Sequence, residues 1–436
     1  MKIEKYLVLN RYLLSLFGVD EFKGLQNVLA EKRVGYNSEG RSYFADVICS
    51  LDCLDRNRMP EDRLLQYDDH IRICVGKINR LRETKIVLKY FQYLALLFTE
   101  IVLDGLQNRM AEFLHELNGF LNDHPMYLVD EFTEDDLRKI AFWMATGSGK
   151  TLLMHINYHQ FQHYRPFSPE NILLITPNEG LSRQHHEELQ KSDIPCLLYT
   201  GNPGGSGYLT GKDPILIIEM TKLVEEKKGG GVTLPIERFE GRNLIFVDEG
   251  HKGKKSEEQK WAKLRNKLAE NGFTFEYSAT FGQILSEKQE ETLKEYAKSI
   301  IFDYSYRYFY LDGYGKDFTV MNIRQGGVGE QTFQETMFVA NLLSYYQQLL
   351  IYEQHQFQAQ EYNLEKPLWI FVGTTVTGKK EESDIIQIVA FFKRLFDDEA
   401  WVRTKIDAIL GGNSGLKKDD EGGDAFEEAY ECIPES

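Results

Sequence analysis

Apolar residues fall along this chain in two rhythms. Near Tyr6 to Phe17, and again from Leu88 to about Phe120, they recur at helical spacing, which predicts one helix in the first stretch and one or two in the second. Tyr43 to Cys49 reads as strand-like, and Asp68, Asp69 and His70 read as charged turn residues rather than a metal cluster. From Leu137 the rhythm changes to short apolar runs separated by helical segments. Ile140–Met144, Asn171–Thr176, Ile215–Ile218, Leu244–Val247 and Phe273–Tyr277 read as strands, and Thr151–Phe161 and Leu181–Leu189 as helices. Short buried strands alternating with helices predict an α/β fold with a largely parallel sheet covered on both faces.

Beyond Thr280 the reading continues with a helical stretch, the aromatic run Tyr304–Tyr310 read as core-forming strand, and a glycine-rich region, Gly313–Gly329. A helix is expected from Thr332 to Gln356, a strand from Leu368 after Pro367, and a helix over Ser383–Phe396. Gly411 to Glu427, glycine-rich and charged, reads as a flexible segment.

The 436 residues suffice for two or three domains, and 42% hydrophobic with 27% charged residues is a globular composition. Five scattered cysteines make no disulfide scaffold. Asn10 and Arg11 interrupt the first apolar stretch, and Glu100 interrupts Tyr93–Leu103. Neither a secretory leader nor a membrane partner is therefore expected, and the cytoplasm is the expected location. The net charge of −16 argues against non-specific adhesion to nucleic acid over the whole surface. A local basic path is compatible with it: Lys252–Lys267 holds seven lysines and arginines against two glutamates.

Candidate chemistry sits where the strands end. In MATGSGKT, Met144 to Thr151, the amides of Thr146, Gly147, Ser148, Gly149 and Lys150 are expected to curl around a β-phosphate, since glycine admits the necessary dihedrals. Lys150 would reach the β- and γ-phosphates of ATP, and Thr151 would help hold Mg²⁺ at the start of a helix. In VDEGH, Val247 to His251, Asp248 would meet Mg²⁺ through water and Glu249 would orient or deprotonate the attacking water. His251 is placed to reach the Ser278–Ala279–Thr280 loop and pass on the nucleotide state. These motifs fall at carboxyl ends of strands, where ligands bind in such folds.

The strings FWMATGSGKT, LLITPNEGLSRQHHEEL, IEMTKL, NLIFVDEGHKG and EYSATFG together resemble a superfamily 2 helicase or translocase, most closely the motor subunit of type III restriction enzymes. LKYFQYLALLFTE upstream, and LWIFVGTTVT with SDIIQIVAFF downstream, resemble the same family, so that the likeness covers about residues 85 to 395. The resemblance implies a RecA-like P-loop NTPase domain with an N-terminal accessory region and the beginning of a second RecA-like domain. The implied boundaries are 1–85 accessory, 86–330 first motor domain, 331–366 helical connector and 367–436 incomplete second domain with a tail. It places Gln92 against the adenine edge, Pro177, Gln184 and Thr221 along a nucleic-acid strand, and Ser278 and Thr280 in the coupling motif. Asn178 stands where the commoner helicase pattern has arginine.

The implied activity is ATP-dependent movement on DNA, as duplex, alongside a methyltransferase, nuclease or other defence-system subunit. An RNA helicase and an ATP-gated assembly module without processive movement are the alternatives. No nuclease constellation is legible: Glu225, Lys227 and Lys228 read as a charged turn. Nor is a later motif with arginine fingers legible before Ser436, so efficient hydrolysis is expected to need further sequence or a partner.

Overall fold

The computed structural model describes residues 6–127, 129–200, 214–225, 233–249, 263–284, 290–315, 323–325, 330–361, 364–371, 384–411 and 416–418. Two compact units, 1–316 and 317–436, divide the chain.

In the first unit the apolar runs pair edge to edge. The strands are β1 (Lys139–Met144), β2 (Asn171–Thr176), β3 (Cys196–Leu198), β4 (Ile215–Glu219), β5 (Asn243–Asp248), β6 (Phe273–Ser278) and β7 (Ile300–Tyr304). They form one seven-stranded sheet in the order β3-β4-β2-β5-β6-β1-β7. Every pairing is parallel, with Ile175 beside Val247, Asp248 beside Tyr277 and Trp143 beside Ser278. The strands alternate their faces as a pleat requires. Phe142, Leu174, Phe246 and Phe275 enter one core, Leu173, Ile175, Ile245 and Val247 a second. A sheet apolar on both faces must be covered on both, hence the near-continuous runs in the sequence.

The larger core is closed by helices: α1 (Val8–Leu16), α2 (Phe22–Leu29), α3 (Tyr43–Cys49), α4 (Glu61–Ile78), α5 (Tyr90–Asn108), α6 (Met110–Asp123) and α7 (Lys150–Tyr164). Phe98 of α5 joins this layer to the sheet, stacked 5.7 Å from Phe17 and edge-on to Phe302 at 5.7 Å. The rest of the unit comprises α8 (Glu179–Lys191), α9 (Glu290–Ser299) and α10 (Tyr306–Leu311).

Three expectations are corrected here. Tyr43–Cys49 is helical: Ser42 caps it through the Phe44 amide, and the buried residues Phe44, Ala45 and Ile48 share one helical face. Asp68–His70 is no turn but mid-α4, where Asp68 accepts from the Ser42 amide at 2.9 Å and His70 pairs with buried Glu100 at 2.8 Å. Among the described residues no cluster suited to a metal ion occurs. Within the aromatic run only Tyr304 lies in a strand, because Asp312 accepts from both the Tyr304 and Tyr90 hydroxyls and draws Tyr306–Leu311 into a helix against them.

The second unit contains α11 (Glu330–Gln354), α12 (Asp384–Asp397) and α13 (Glu399–Leu410), meeting through Val339, Ala340, Phe391 and Ile409. A two-stranded antiparallel ladder pairs Ile323–Gln325 with Leu416–Lys418. The strand expected from Leu368 is not formed over Leu368–Phe371. Its period-two pattern is nonetheless present, with Leu368 and Ile370 exposed while Trp369 and Phe371 pack on Phe338 and Phe392, but no strand pairs with it among the described residues. No described helix of the chain is long and apolar enough to cross a membrane. The glycine-rich tail from Gly411 lies almost wholly outside the described residues, as do Cys432 and 252–262 of the basic stretch.

Candidate nucleotide site

At the carboxyl end of β1 the chain turns sharply into α7. The Ala145 amide bonds Tyr304 O at 3.0 Å, so pairing with β7 runs one residue past the strand. Ala145 O then accepts from the Ser148 amide at 3.2 Å and the Ser148 hydroxyl at 2.7 Å, closing the loop. Gly147 (φ 86°) and Gly149 (φ 96°) hold left-handed dihedrals that favour glycine. Gly149 precedes α7 with no side-chain cap, which leaves first-turn amides open to an anion.

Gln92 supports this loop from beneath. Its Oε1 accepts from the Lys89 amide at 2.9 Å and its Nε2 donates to Ser148 O at 3.0 Å. A Cβ at position 149 would lie 2.6 Å from Gln92 Nε2. A side chain at 149 would therefore push Gln92 off the Ser148 carbonyl and disturb the loop. Gly149→Ala is expected to cost about 1–3 kcal/mol of strain and to weaken nucleotide binding roughly tenfold or more. Titration with a fluorescent nucleotide checks this, and unchanged affinity would contradict it.

Two strands away, β5 ends at Asp248. Glu249 follows with φ 52°, an uncommon conformation for a side-chain-bearing residue, held by its amide bonding Tyr277 O at 2.9 Å. That turn sends the carboxylate toward the loop. Glu249 Oε1 lies 3.3 Å from Lys150 Nζ and 3.4 Å from the Ala279 amide, and Oε2 accepts from the Ser278 hydroxyl at 3.3 Å. Lys150 also donates to Met144 O at 3.3 Å. The loop lysine and the strand-end carboxylate thus form an ion pair. Ser278 Oγ further accepts from the Thr280 amide at 3.0 Å, and Trp143 Nε1 donates to Ala279 O at 3.1 Å.

The residues expected to bind and split ATP are accordingly brought together from β1, β5 and β6, with half-buried Thr151 in the first turn of α7. Pro177, Gln184 and Thr221 stand apart from them on the β2–β4 side. Pro177 follows β2, Gln184 is exposed on α8, and exposed Thr221 donates to Glu219 at 2.6 Å. His251 lies outside the described residues, as do Lys227 and Lys228, while Glu225 pairs with Lys267 at 3.2 Å.

Sequence reasoning missed His185, whose Nε2 lies 2.9 Å from Asp248 Oδ2. The available signal was a histidine sharing a helical face with Ser182 and Leu189, the buried residues of α8. It also missed the buried Glu276, bonded at 2.8 Å to Lys139 and at 3.2 Å to Arg265 beneath the site.

A left-handed glycine cradle, its lysine, and an Asp-Glu strand end on a parallel sheet are the features of a P-loop nucleotide-binding domain. Residues 100–283 match the family described as type III restriction enzyme, res subunit. This segment is thus similar to a helicase-type family whose domains in general use ATP with Mg²⁺. The match takes in Lys150, Asp248, Glu249, Ser278 and Thr280, whereas Gln92 precedes it. No curated protein matches the chain. Two solved structures of UvsW from bacteriophage T4 are similar to it. One has 14% identity over 48% of this chain and 43% of that chain, with a TM-score of 0.25. The other, titled a helicase, has 16% identity over 51% of this chain and 85% of that chain, with a TM-score of 0.27.

Proposed function

We propose that this protein is an ATP-driven DNA helicase or translocase, the motor of a restriction or other anti-phage system. The observation that carries the reading is the convergence of Lys150, Asp248, Glu249 and Ser278 at one sheet edge. A left-handed glycine loop, a lysine and two carboxylates suit Mg²⁺-ATP. Thr146, Gly147, Ser148, Gly149 and Lys150 receive the phosphates, Thr151 and Asp248 hold the metal, and Gln92 borders the base. Bound Mg²⁺ supplies charge neutralisation at the phosphate oxygens. Lys150 exchanges Glu249 for phosphate, and the released Glu249 carboxylate orients a water and takes its proton. Ser278 and Thr280, with His251, register that change because Ser278 bonds the same carboxylate.

On this reading residues 1–85 are accessory to a motor domain of 86–330, 331–366 connects, and 367–436 begins a second motor domain. Pro177, Gln184 and Thr221 contact duplex DNA, and a methyltransferase, nuclease or other defence subunit is the partner. Comparing ATPase rates without polymer and with duplex DNA, single-stranded DNA and RNA tests it. Stimulation by duplex DNA is expected. Stimulation by RNA alone would make this an RNA helicase, and indifference to every polymer would make it an ATP-gated assembly module.

A further inference from the structure

Behind Asp248, α7 and α8 bury two imidazoles that the proposed chemistry does not use, His155 and His185, 1% and 2% exposed. Asp248 Oδ2 lies 2.9 Å from His185 Nε2, and a carboxylate only accepts, so Nε2 carries the proton. At the other end of the pair, Ser192 Oγ accepts from Arg82 at 2.8 Å and lies 2.8 Å from His155 Nδ1. The Ser192 hydroxyl therefore bonds both Arg82 and His155. Burial, then the neighbouring His185, push the His155 pKa down to about 3, so that ring is neutral at pH 7.

Two polar atoms remain buried without a partner, His155 Nε2 and His185 Nδ1. Neither is bonded to the other, so the contacts are Arg82 to Ser192 beside His155 on one side and His185 to Asp248 on the other. Such outer partners fix the tautomer and direction of groups that hold metals.

We propose that buried His185 is a positioning residue for Asp248, so that the carboxylate commits Oδ2 to the ring and leaves Oδ1 for hydrated Mg²⁺ on a nucleoside triphosphate. The inference rests on the ATP-site reading above.

The test is binding of a fluorescent ATP analogue by the full chain, with Mg²⁺ and with EDTA. His185→Leu is expected to lose about tenfold or more of the Mg²⁺-dependent gain in affinity while binding in EDTA is unchanged. His185→Gln, whose amide replaces the Nε2 donor, is expected to recover most of that gain. A wild-type response to Mg²⁺ in His185→Leu, an equal loss with and without Mg²⁺, or no rescue by glutamine would overturn the role. Wild-type protein that binds no nucleotide would instead sink the ATP-site reading, taking this inference with it.

Discussion

Glu249→Gln is expected to lower the ATP turnover number by about 10²–10⁴-fold, the contribution a positioned general base typically makes. Glutamine fills the same space and its one oxygen can still accept from the Ser278 hydroxyl or the Ala279 amide, which reach the two native carboxylate oxygens at 3.3 and 3.4 Å. What it loses is the ability to take a proton, together with the negative charge facing Lys150. Mg²⁺-ATP affinity is therefore expected to stay within a few-fold of wild type, because Lys150 no longer has to leave a carboxylate to reach phosphate. Phosphate release and nucleotide binding, measured on the same preparation, separate the two effects. Turnover at the wild-type rate would remove Glu249 from the chemistry.

The largest effect on stability is expected one strand over. Glu276 is fully buried in β6, where Oε2 meets Lys139 at 2.8 Å and Arg265 at 3.2 Å, and Oε1 accepts from the Tyr296 hydroxyl at 2.7 Å. Removing one partner of a buried charge cluster leaves the others uncompensated, so Glu276→Gln should cost about 3–5 kcal/mol in denaturant unfolding. The same group sets an acid limit. Burial would raise its pKa, but Lys139 and then Arg265 overcome that and bring it from 4.5 to about 2. A folded pKa below the unfolded one gives stability that is complete above about 4.5 and is lost as pH falls toward 2. Wild type should therefore lose stability over that window, and the glutamine variant should lose less. Parallel pH profiles would contradict the assignment.

The P-loop and the strand ends were legible because each rests on a local requirement. A phosphate loop needs glycine where φ is positive, as at Gly147 and Gly149, and a strand buried on both faces needs an unbroken apolar run, as in NILLIT and NLIFVD. What failed depended on distant partners. Tyr43–Cys49 has a strand's composition, yet Asp68, 26 residues on, accepts the Ser42 amide at the helix start. His70 reads as a turn residue and Glu100 as a break in an apolar stretch until they are found paired inside the fold. His185 was hidden for the same reason, since its partner Asp248 lies 63 residues away. Trp369 and Phe371 alternate as a strand should, but a ladder needs a neighbour, and none is present among the described residues.

The central claim is that Met144–Thr151 and the Asp248–Glu249 strand end form one Mg²⁺-ATP site. Calorimetric titration of Mg²⁺-ATP into wild type and Lys150→Ala tests it most directly. A charged hydrogen bond to phosphate is worth about 1.5–3 kcal/mol, so one nucleotide should bind the wild type and bind Lys150→Ala about tenfold to a hundredfold more weakly. Equal affinity in the two proteins, or no binding to either, would contradict the account.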